Sequence, residues 1–427
     1  MKIEELYELY KKCGSVTTDS RSHQSGAIFF ALRGETFDGN KFAQSAIDNG
    51  CSYAVIDNKA YEGEKTILVE DSLKTLQQLA NFHHRQLTIP IIGITGTNGK
   101  TTTKELVSTV LRQKFNVYNT QGNFNNHIGV PLTLLSIKPE HEIAVVEMGA
   151  NHPHEIKDLV EIVEPDFGII TNVGKAHLQG FGSFEGVINT KKELYDYIKV
   201  KGKTIFLNAS DSILTKIAKG INQITYGVDC ATAFVQGTVK QLNPYLQVEW
   251  CVENGAKQSV QTHLIGAYNI NNVLAAICVA NHFDISAEKI NLALSMYEPT
   301  NNRSQLKKTD RNTLIIDAYN ANPTSMRVAV ENFAQIEESN KLVILGDMLE
   351  LGTDSEKEHA DIVHLVQTNN IPAIFVGKEF EKIDSLSLHF SDVESCIEYL
   401  KDEHITNSFI LIKGSHGIHL EKIIEYL

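Results

Sequence analysis

Glycine, lysine and threonine lie close together in residues 93–102, which read Gly-Ile-Thr-Gly-Thr-Asn-Gly-Lys-Thr-Thr. Backbone N–H groups of a glycine-rich turn can point at anionic oxygens, and the lysine and threonine that follow can bind phosphate and Mg²⁺. The usual spacing of such a loop would put a glycine at Ile94, so this loop is a variant built as Gly-x-x-Gly-Lys-Thr. A glycine-rich turn without a ligand would not explain Lys100 and Thr101 at this place. The predicted nucleotide-phosphate contacts are Gly96, Thr97, Asn98, Gly99, Lys100, Thr101 and Thr102.

Three single residues could take part in chemistry but also allow a plain structural interpretation. Glu147 ends an apolar run, where a carboxylate could hold Mg²⁺ or could equally cap a helix or pair with a cation. His177 lies just beyond another apolar run, and a histidine there is more often a structural hydrogen-bonding group than a ligand. Lys191 would ordinarily be a solvated lysine on a helix. Taken alone, the sequence leaves the role of Glu147 open and favours the structural interpretation for His177 and Lys191.

Amide side chains are concentrated in residues 122–131, Gly-Asn-Phe-Asn-Asn-His-Ile-Gly-Val-Pro. An amide both donates and accepts hydrogen bonds, which suits recognition of a neutral sugar or a peptide. A tight turn would explain one asparagine, but not Asn123, Asn125 and Asn126 within four residues. We therefore expect these three residues to bind substrate.

Short apolar runs alternate with amphipathic helical segments along nearly the whole chain, which is typical of an α/β fold. Residues 224–265 change to an alternating pattern, which predicts a small antiparallel insert. We expect three domains: residues 1–85, a central phosphate-loop domain with a mostly parallel sheet at 86–298, and a Rossmann-like domain at 299–427. The strand-like runs are 27–32, 53–56, 66–69, 89–92, 143–147, 168–172, 204–208, 314–317, 342–345, 374–376 and 409–412.

The composition excludes several classes of protein. The chain has 427 residues and a net charge of −13, which argues against general nucleic-acid binding because that needs clustered basic surface. The 6 cysteines are scattered without a C-x-x-C pair, so neither a zinc site nor a disulfide framework is indicated. The sequence lacks a signal-peptide pattern and an apolar run of the roughly 20 residues that a membrane helix needs, so we expect a cytoplasmic protein without membrane insertion.

Several motifs occur together in one order: Thr-Gly-Thr-Asn-Gly-Lys-Thr-Thr, Asn-Asn-His-Ile-Gly-Val-Pro-Leu-Thr, Val-Val-Glu-Met-Gly-Ala-Asn, Thr-Asn-Val-Gly-Lys-Ala-His-Leu and Asp-Ala-Tyr-Asn-Ala-Asn-Pro-Thr-Ser-Met. In this they resemble the ATP-dependent Mur ligases of peptidoglycan synthesis. Thr-Asp-Ser-Arg-Ser at 18–22 is similar to that family's uridine-binding motif, and Leu-Gly-Asp-Met-Leu-Glu-Leu-Gly and Ile-Lys-Gly-Ser resemble its C-terminal blocks. The resemblance covers the chain from end to end.

The resemblance implies a role for each matching residue. Lys100 would contact the β- and γ-phosphates of ATP, with Thr101 and Glu147 on one Mg²⁺. His177 would bind a second Mg²⁺ together with Lys191, which matches a lysine that is carbamylated in related ligases. The other implied ATP contacts are Asn269, Asn272, Arg303 and Asp317. The implied substrate contacts are Asp19, Ser20 and Arg21 for the UDP-sugar, and Asn320, Asn322 and Lys413 for the incoming substrate.

The resemblance also implies a reaction. A substrate carboxylate would attack the γ-phosphate of ATP, and an amine would then displace phosphate from the acyl phosphate. This chain has Asn-Ala-Asn-Pro and lacks the Asp-Asn-Pro-Arg motif of an amino-acid-adding relative, which favours UDP-N-acetylmuramoyl-tripeptide and D-alanyl-D-alanine as substrates. We also expect a monomer. The alternatives are another Mur-type amino-acid ligase, a ligase like folylpolyglutamate synthase, and a nucleotide-switched binding protein without ligase chemistry.

Three positions differ from the family pattern. Tyr268 and Asn40 replace a usual histidine, and His416 replaces a common arginine. None of the three belongs to the predicted phosphate and metal groups.

Overall fold

A computed structural model describes residues 1–21, 25–300, 302–383 and 388–427. It is an α/β molecule in which three sheets follow one another along the chain, each formed by its own segment of sequence. No helix within these ranges is both long and apolar enough to cross a membrane.

The first sheet is formed by short parallel strands in the order β1-β2-β3-β4. Strands β2, β3 and β4 lie in the apolar runs that the sequence predicts, and amphipathic helices cover the sheet. The two-residue strand β1 was not predicted. The last helix of this segment carries the chain to the second sheet. The elements are α1 (Ile3–Cys13), β1 (Val16–Thr17), β2 (Ile28–Phe30), α2 (Ala43–Asp48), β3 (Tyr53–Ile56), β4 (Thr66–Leu68) and α3 (Ser72–Leu87).

The second sheet has the order β13-β12-β11-β10-β9-β8-β5-β7-β6. Its parallel part contains β5 (Ile91–Thr95), β6 (Val117–Asn119), β7 (Ile143–Glu147), β8 (Phe167–Ile170), β9 (Thr204–Asn208) and β10 (Asn222–Val228). The helices are α4 (Lys100–Leu111), α5 (Gly129–Leu135), α6 (Glu155–Val163), α7 (Leu178–Phe181), α8 (Phe184–Val200), α9 (Ser212–Ile217), α10 (Ile270–His282) and α11 (Ala287–Met296).

The predicted antiparallel insert is present, but it begins later than the alternating pattern indicated. Strand β10 is parallel to both β9 and β11 (Val235–Gln241), and antiparallel pairing starts only between β11 and β12 (Gln247–Val252) and continues to β13 (Gln258–Gln261). These strands extend the edge of the central sheet. Alternation of apolar and polar residues indicates which face of a strand is buried, but it does not indicate whether the neighbouring strand is parallel or antiparallel.

The third sheet has the order β14-β15-β19-β16-β17-β18 and is parallel except at β14. The edge strand β14 was not predicted, because its exposed Lys307 and Lys308 give it no apolar pattern. The elements are β14 (Gln305–Lys308), β15 (Thr313–Asp317), α12 (Pro323–Gln335), β16 (Lys341–Gly346), α13 (Ser355–Thr368), β17 (Ala373–Val376), β18 (His389–Phe390), α14 (Val393–Glu403) and β19 (Phe409–Lys413).

The contacts between neighbouring sheets differ in character. One continuous apolar core joins the first segment to the central sheet, with Leu76 and Leu79 of α3 packed among Leu134 and Leu159. Polar side chains join the central sheet to the third segment. Asn322 Nδ2 donates to Asn98 Oδ1 at 2.7 Å, and Lys175 Nζ lies 2.7 Å from Glu358 Oε1. These polar contacts place the third segment directly above the phosphate loop.

Candidate functional site

A cavity of about 810 Å³ lies at the carboxyl ends of the central strands, where the third segment meets them. This is where open parallel sheets bind ligands, because loops diverge there at the point where strand order reverses. Most of the residues that the sequence predicts for the site line this cavity. They are Thr97, Asn98, Gly99, Lys100, Thr101, Thr102, Asn123, Asn125, Asn126, Glu147, His177, Asn269, Asn272, Arg303, Asp317, Asn320 and Lys413.

Two glycines of the phosphate loop are required by close packing. Gly96 has φ +143°, and a Cβ there would lie 2.0 Å from Thr171 Oγ1. Gly99 has φ +77°, and a Cβ would lie 2.7 Å from Asn272 Oδ1. A side chain at either position would therefore combine a rarely populated backbone conformation with a steric clash. The variant spacing of the loop keeps glycine at these two positions and leaves Ile94 free to pack in the core strand β5.

Residues that follow β8 hold the phosphate loop in place. Thr97 N donates to Asn172 O at 3.0 Å, and Asn98 N donates to Asn172 Oδ1 at 3.0 Å. Thr171 Oγ1 donates to Asn98 O at 2.6 Å. The loop conformation is thus fixed by neighbouring backbone and side chains, so its amides are already oriented for an anion.

Lys100 opens helix α4 and lies at the positive end of the helix dipole. Its Nζ donates to Gly96 O at 2.9 Å and to Thr97 O at 3.1 Å. Burial lowers the pKa of Lys100, the charge of Glu147 acts in the opposite direction, and the charge of Arg303 lowers the pKa further. Two cations converge on the cavity at this point, which suits a ligand that carries several negative charges.

Glu147 ends β7 inside the cavity and is 2% exposed. Its Oε1 accepts a hydrogen bond from Asn125 Nδ2 at 2.9 Å, whereas its Oε2 is buried without a hydrogen-bond partner among the described residues. Thr101 lines the same cavity. An unpartnered carboxylate oxygen close to a phosphate loop fits Mg²⁺, which is usually held by one or two protein oxygens, water and substrate phosphates. The described residues contain no cluster of three or more His, Cys, Asp or Glu that could hold a metal by itself.

Lys104 supports the glutamate from the next turn of α4. Its side chain is 2% exposed, and Nζ donates to Thr120 O at 2.7 Å and lies 3.0 Å from Glu105 Oε1. Thr120 Oγ1 in turn accepts a hydrogen bond from Glu147 N at 3.0 Å. The helix that carries the phosphate loop is therefore linked to the strand end that carries the carboxylate.

His177 has φ +50° and ψ +37°, in the left-handed region that favours glycine. Its Nδ1 hydrogen-bonds with Glu350 Oε2 of the third segment, and Glu350 also has a positive φ of +64°. Because an ionised carboxylate only accepts, Nδ1 is the donor and Nε2 keeps a lone pair for another ligand. Non-glycine residues in this conformation occur often at functional sites, where the surrounding structure holds them.

Lys191 lies in α8 and does not belong to the residues that line the cavity. Its interpretation as a solvated helix lysine is wrong, because the residue is only 2% exposed. Its Nζ donates to Ala150 O at 3.3 Å and lies 5.4 Å from the centroid of the Phe181 ring. Burial, aided by the charge of Lys100, lowers the pKa of Lys191 to about 7. The amine is therefore neutral in a large fraction of molecules at neutral pH, which carbamylation requires.

Buried amides form the side of the cavity next to α10. Asn272 Nδ2 donates to Asn269 Oδ1 at 2.9 Å, and Asn272 Oδ1 accepts from Thr103 Oγ1 at 3.0 Å. Tyr268, one of the departures from the family pattern, lines the same region, and its hydroxyl hydrogen-bonds with Ser304 Oγ at 2.7 Å. Burial raises the pKa of Tyr268, so the hydroxyl stays neutral. This tyrosine links the end of the central segment to the third segment.

The carboxyl ends of β15 and β19 contribute an ion pair to the cavity wall. Lys413 Nζ lies 2.5 Å from Asp317 Oδ2 and donates to Asn320 O at 3.2 Å. Asp317 Oδ1 accepts a hydrogen bond from Ser304 N at 3.2 Å. These bonds fix the backbone from Asp317 to Asn320, because Lys413 of the neighbouring strand β19 bonds to the residues at both ends of this stretch.

A smaller cavity of about 260 Å³ lies beside the large one, between the central and third segments. Asn322, which begins α12, lines this cavity and does not line the large one. Glu350, Ser415 and His416 also line it, and none of the three was predicted as a site residue. His177, Tyr319 and Asn320 line both cavities, so the two cavities share one wall.

Comparison with known proteins gives matches along the whole chain. The family models described as "Mur ligase family, catalytic domain", "Mur ligase middle domain" and "Mur ligase, glutamate ligase domain" match residues 12–84, 94–280 and 302–416. The UDP-N-acetylmuramoyl-tripeptide–D-alanyl-D-alanine ligase of Bacillus subtilis is 35% identical over 96% of this chain and 92% of its own length. The ligase of the same name from Escherichia coli is 30% identical over 97% of this chain and 93% of its own.

This chain belongs to the Mur ligase family.

Solved structures agree with that assignment. A crystal structure of MurF from Acinetobacter baumannii has a TM-score of 0.86 at 30% identity and covers 96% of this chain and 92% of its own. MurF ligase from Thermotoga maritima in complex with ADP also has a TM-score of 0.86, at 25% identity, and covers 96% of both chains. The predicted α/β, three-domain architecture of a Mur ligase is confirmed.

The residues expected to hold the UDP-sugar lie apart from both cavities of this Mur ligase. Arg21 Nε lies 2.9 Å from Asp19 Oδ1 in an exposed ion pair, and Asn49 Nδ2 donates to Ser20 O at 2.9 Å. Ser22, the last residue of their motif, lies outside the described residues. In the same segment Asn40 is fully buried, and its Nδ2 donates to Asp57 Oδ1 at 2.8 Å, so here the replacement of histidine gives a well-bonded amide.

Sequence reasoning did not single out several residues that form the site. Asn172 and Tyr319 stand within motifs that were used to identify the family, and their positions at strand ends were the available signal. Glu155 and Asp158, in the first turn of α6, line the large cavity, but acidic residues are common in a first turn and gave no distinct signal. Glu350 and His416 could be placed only by the folding of the third segment against the second.

Proposed function

We propose that this Mur ligase uses ATP to join D-alanyl-D-alanine to UDP-N-acetylmuramoyl-tripeptide in peptidoglycan precursor synthesis. The observation that carries the proposal is the cavity in which the phosphate loop of the central segment faces the third segment. A nucleotide and a second ligand can meet there without leaving the protein. The named relatives, at 30–35% identity over nearly the whole chain, support these substrates.

The proposed chemistry has two steps. The terminal carboxylate of the tripeptide attacks the γ-phosphorus of ATP, so an O–P bond forms, the bond to the β-phosphate oxygen breaks, and ADP leaves. The amine of the dipeptide then attacks the acyl carbon, the C–O bond to phosphate breaks, and the amine loses a proton. Lys100 and the loop amides would stabilise the negative charge of the transferring phosphoryl group, and Arg303 would approach it from the third segment.

Mg²⁺ would supply charge neutralisation on the nucleotide phosphates. Glu147 and Thr101 would hold one Mg²⁺, because a carboxylate oxygen of Glu147 has no partner among the described residues and lies beside the phosphate loop. A second Mg²⁺ would be held by His177 through the Nε2 that its bond to Glu350 leaves available, and by Lys191 after carbamylation. The lowered pKa of Lys191 supports this role, because only a neutral amine reacts with CO₂.

We propose that the smaller cavity receives D-alanyl-D-alanine. It shares His177, Tyr319 and Asn320 with the large cavity that contains the phosphate loop. Its lining includes an acidic side chain and an amide, as a zwitterionic dipeptide needs. The carboxylate of Glu350 suits the ammonium end, and the second N–H of Asn322 Nδ2, whose first N–H bonds Asn98, can donate to the carboxylate end. The bound amine would then lie next to the large cavity in which the acyl phosphate forms.

The first segment is proposed to hold the UDP-sugar through Asp19, Ser20 and Arg21. Asn123, Asn125 and Asn126 would contact the part of this substrate that enters the large cavity. We retain residues 1–85, 86–298 and 299–427 as proposed domains. We also propose that the protein is a monomer and that it acts in the cytoplasm, where UDP-linked precursors and ATP occur. Light scattering after size-exclusion chromatography tests the oligomeric state.

Release of ADP tests the proposed function directly. The purified protein is assayed with ATP, Mg²⁺ and a panel of UDP-muramoyl peptides, crossed with D-alanyl-D-alanine and single amino acids. We expect ADP release only when the tripeptide and the dipeptide are both present, with one amide formed per ADP. Turnover with a single amino acid would identify another Mur-type ligase, and nucleotide binding without turnover would identify a nucleotide-switched binding protein.

Lys100→Ala provides the matched test of the phosphate loop. Removal of this ammonium is expected to abolish ADP release, since no other described cation lies within the loop itself. Lys114→Ala, near the exposed C-terminal end of α4, is the control and should retain full turnover. Undiminished turnover by Lys100→Ala would contradict the assignment.

A further inference from the structure

Among the described residues, Arg303 has few of the partners that usually hold an arginine in place. Within this part of the chain its Nε is buried without a hydrogen-bond partner, and its guanidinium forms no ion pair with an acidic residue. It also lies close enough to Lys100 for their charges to interact unfavourably. Something other than an opposite charge must therefore keep this guanidinium at the wall of the large cavity.

The ring of Tyr319 supplies that contact. The guanidinium carbon of Arg303 lies 3.6 Å from the centroid of the Tyr319 ring. A cation over the face of an aromatic ring is attracted by the negative face of the ring, and a planar guanidinium can stack flat on it. Stacking uses the face of the guanidinium and leaves its N–H edges free, so they can donate to phosphate oxygens in the cavity.

Tyr319 is itself held firmly enough to act as a support. It follows Asp317, whose backbone is tied to β19 by the ion pair with Lys413. Its ring also stacks on His416, with centroids 5.8 Å apart and an angle of 27° between the planes. Tyr319 lines the large cavity with Arg303 on one side and the smaller cavity with His416 on the other.

We infer that Tyr319 is a positioning residue, whose ring holds the Arg303 guanidinium in the orientation that binds the nucleotide phosphates. The inference rests on the proposed function only in taking a nucleotide as the ligand of the large cavity. The ring acts through Arg303 and has no bond to make or break in the reaction. Its hydroxyl has no part in this role.

Nucleotide binding measured by calorimetry tests the inference without any acceptor substrate. The probes are Mg²⁺ with ADP and Mg²⁺ with a non-hydrolysable ATP analogue, and the proteins are the full-length wild type, Tyr319→Phe, Tyr319→Leu, Arg303→Met and the double variant Tyr319→Leu/Arg303→Met. We expect Tyr319→Phe to bind within about twofold of the wild type and Tyr319→Leu to bind about 5- to 30-fold more weakly, the range of a cation–π contact that is partly desolvated.

The double variant separates positioning from simple damage to the fold. If the ring acts through Arg303, Tyr319→Leu adds no further loss once Arg303→Met is present. Tyr399→Leu is the matched control, since Tyr399 packs on Phe390 in the same segment and lines neither cavity. It should bind nucleotide as the wild type does. Circular dichroism and the thermal midpoint of every variant check that it is folded.

Two results would overturn the inference. One is additivity of the two losses in the double variant, and the other is a loss in Tyr319→Phe as large as that in Tyr319→Leu, which would assign the effect to the hydroxyl. Failure of the proposed ligase activity would appear separately, as nucleotide binding without amide formation by the wild type. In that case the nucleotide affinities of the single and double variants still decide the role of Tyr319.

Discussion

Replacing Lys191 with methionine should stabilise the protein, and the gain should shrink as the pH rises. The side chain is 2% exposed, and burial lowers the pKa of Lys191 from its ordinary 10.5 to about 7. Methionine has a similar length and carries no charge. The variant therefore removes the cost of burying an ammonium while it keeps most of the packing.

The size of the effect follows from the two pKa values. Below pH 7 the folded and the unfolded chain both hold the proton, and the folded state bears an unfavourable contribution of about 5 kcal/mol. Between pH 7 and 10.5 the unfolded chain still binds the proton that the folded chain has released, so the free energy of unfolding of the wild type rises with pH. The advantage of Lys191→Met should thus fall from about 5 kcal/mol at pH 6 to about 2 kcal/mol at pH 9.

Urea unfolding in CO₂-free buffer without Mg²⁺ measures this difference. The single tryptophan, Trp250 in β12, reports on the central sheet through its fluorescence. Methionine also loses the hydrogen bond from Nζ to Ala150 O, but that loss of about 1 kcal/mol is nearly independent of pH. The decrease of about 3 kcal/mol across the pH range is the informative quantity.

Lys192→Met is the matched control, because Lys192 is the next residue and its side chain is 35% exposed beside Asp196. Its effect on unfolding should not change between pH 6 and pH 9. A second readout uses ¹³C-bicarbonate, which should give a carbamate signal in the wild type and in Lys192→Met and none in Lys191→Met. A constant difference between the wild type and Lys191→Met over the whole pH range would refute the reasoning about the buried amine.

Two other substitutions test the phosphate loop and its support. Gly96→Ala would place a Cβ 2.0 Å from Thr171 Oγ1, so we expect calorimetry to show at least a tenfold loss in nucleotide affinity. Gly202 also has a positive φ, but a Cβ there would meet no atom of the described residues within 4 Å, so Gly202→Ala should bind nucleotide normally. Lys104→Met removes the 2.7 Å donor of the buried Thr120 carbonyl and leaves it the longer 3.4 Å hydrogen bond from Asn119 Nδ2, at a cost of about 1 kcal/mol. It should raise the Mg²⁺ concentration needed for half-maximal ADP release, and Lys104→Arg should restore it in part. An unchanged Mg²⁺ requirement would show that Lys104 does not support the metal site.

The phosphate loop shows how far local sequence could lead. Gly96, Gly99 and Lys100 could be assigned to phosphate binding because the conformation of a short glycine-rich turn and the dipole of the helix after it depend on neighbouring residues. The buried runs around the loop likewise predicted several strands of the central sheet, with β7 and β9 at the observed bounds. The three-residue edge strand β6 was not predicted. The short edge strand β14 lacked such a run and was missed.

Contacts between distant segments could not be predicted in this way. Asn98 and Asn322 stand 224 residues apart and form one amide pair, and Glu350 reaches His177 from the third segment. Nothing in the composition of either motif indicates its partner, because the partner is set by how two sheets pack. The smaller cavity exists only as a consequence of that packing.

The sequence by itself determined which residues could bind phosphate, which runs form strands, and to which family the chain belongs. The tertiary structure alone decided that the amine of Lys191 is buried beside the charge of Lys100 and that Tyr319 supports Arg303. The physical reason is that residue type and spacing fix local conformation, whereas desolvation, pKa and the pairing of a guanidinium with a ring depend on atoms brought together by the whole fold.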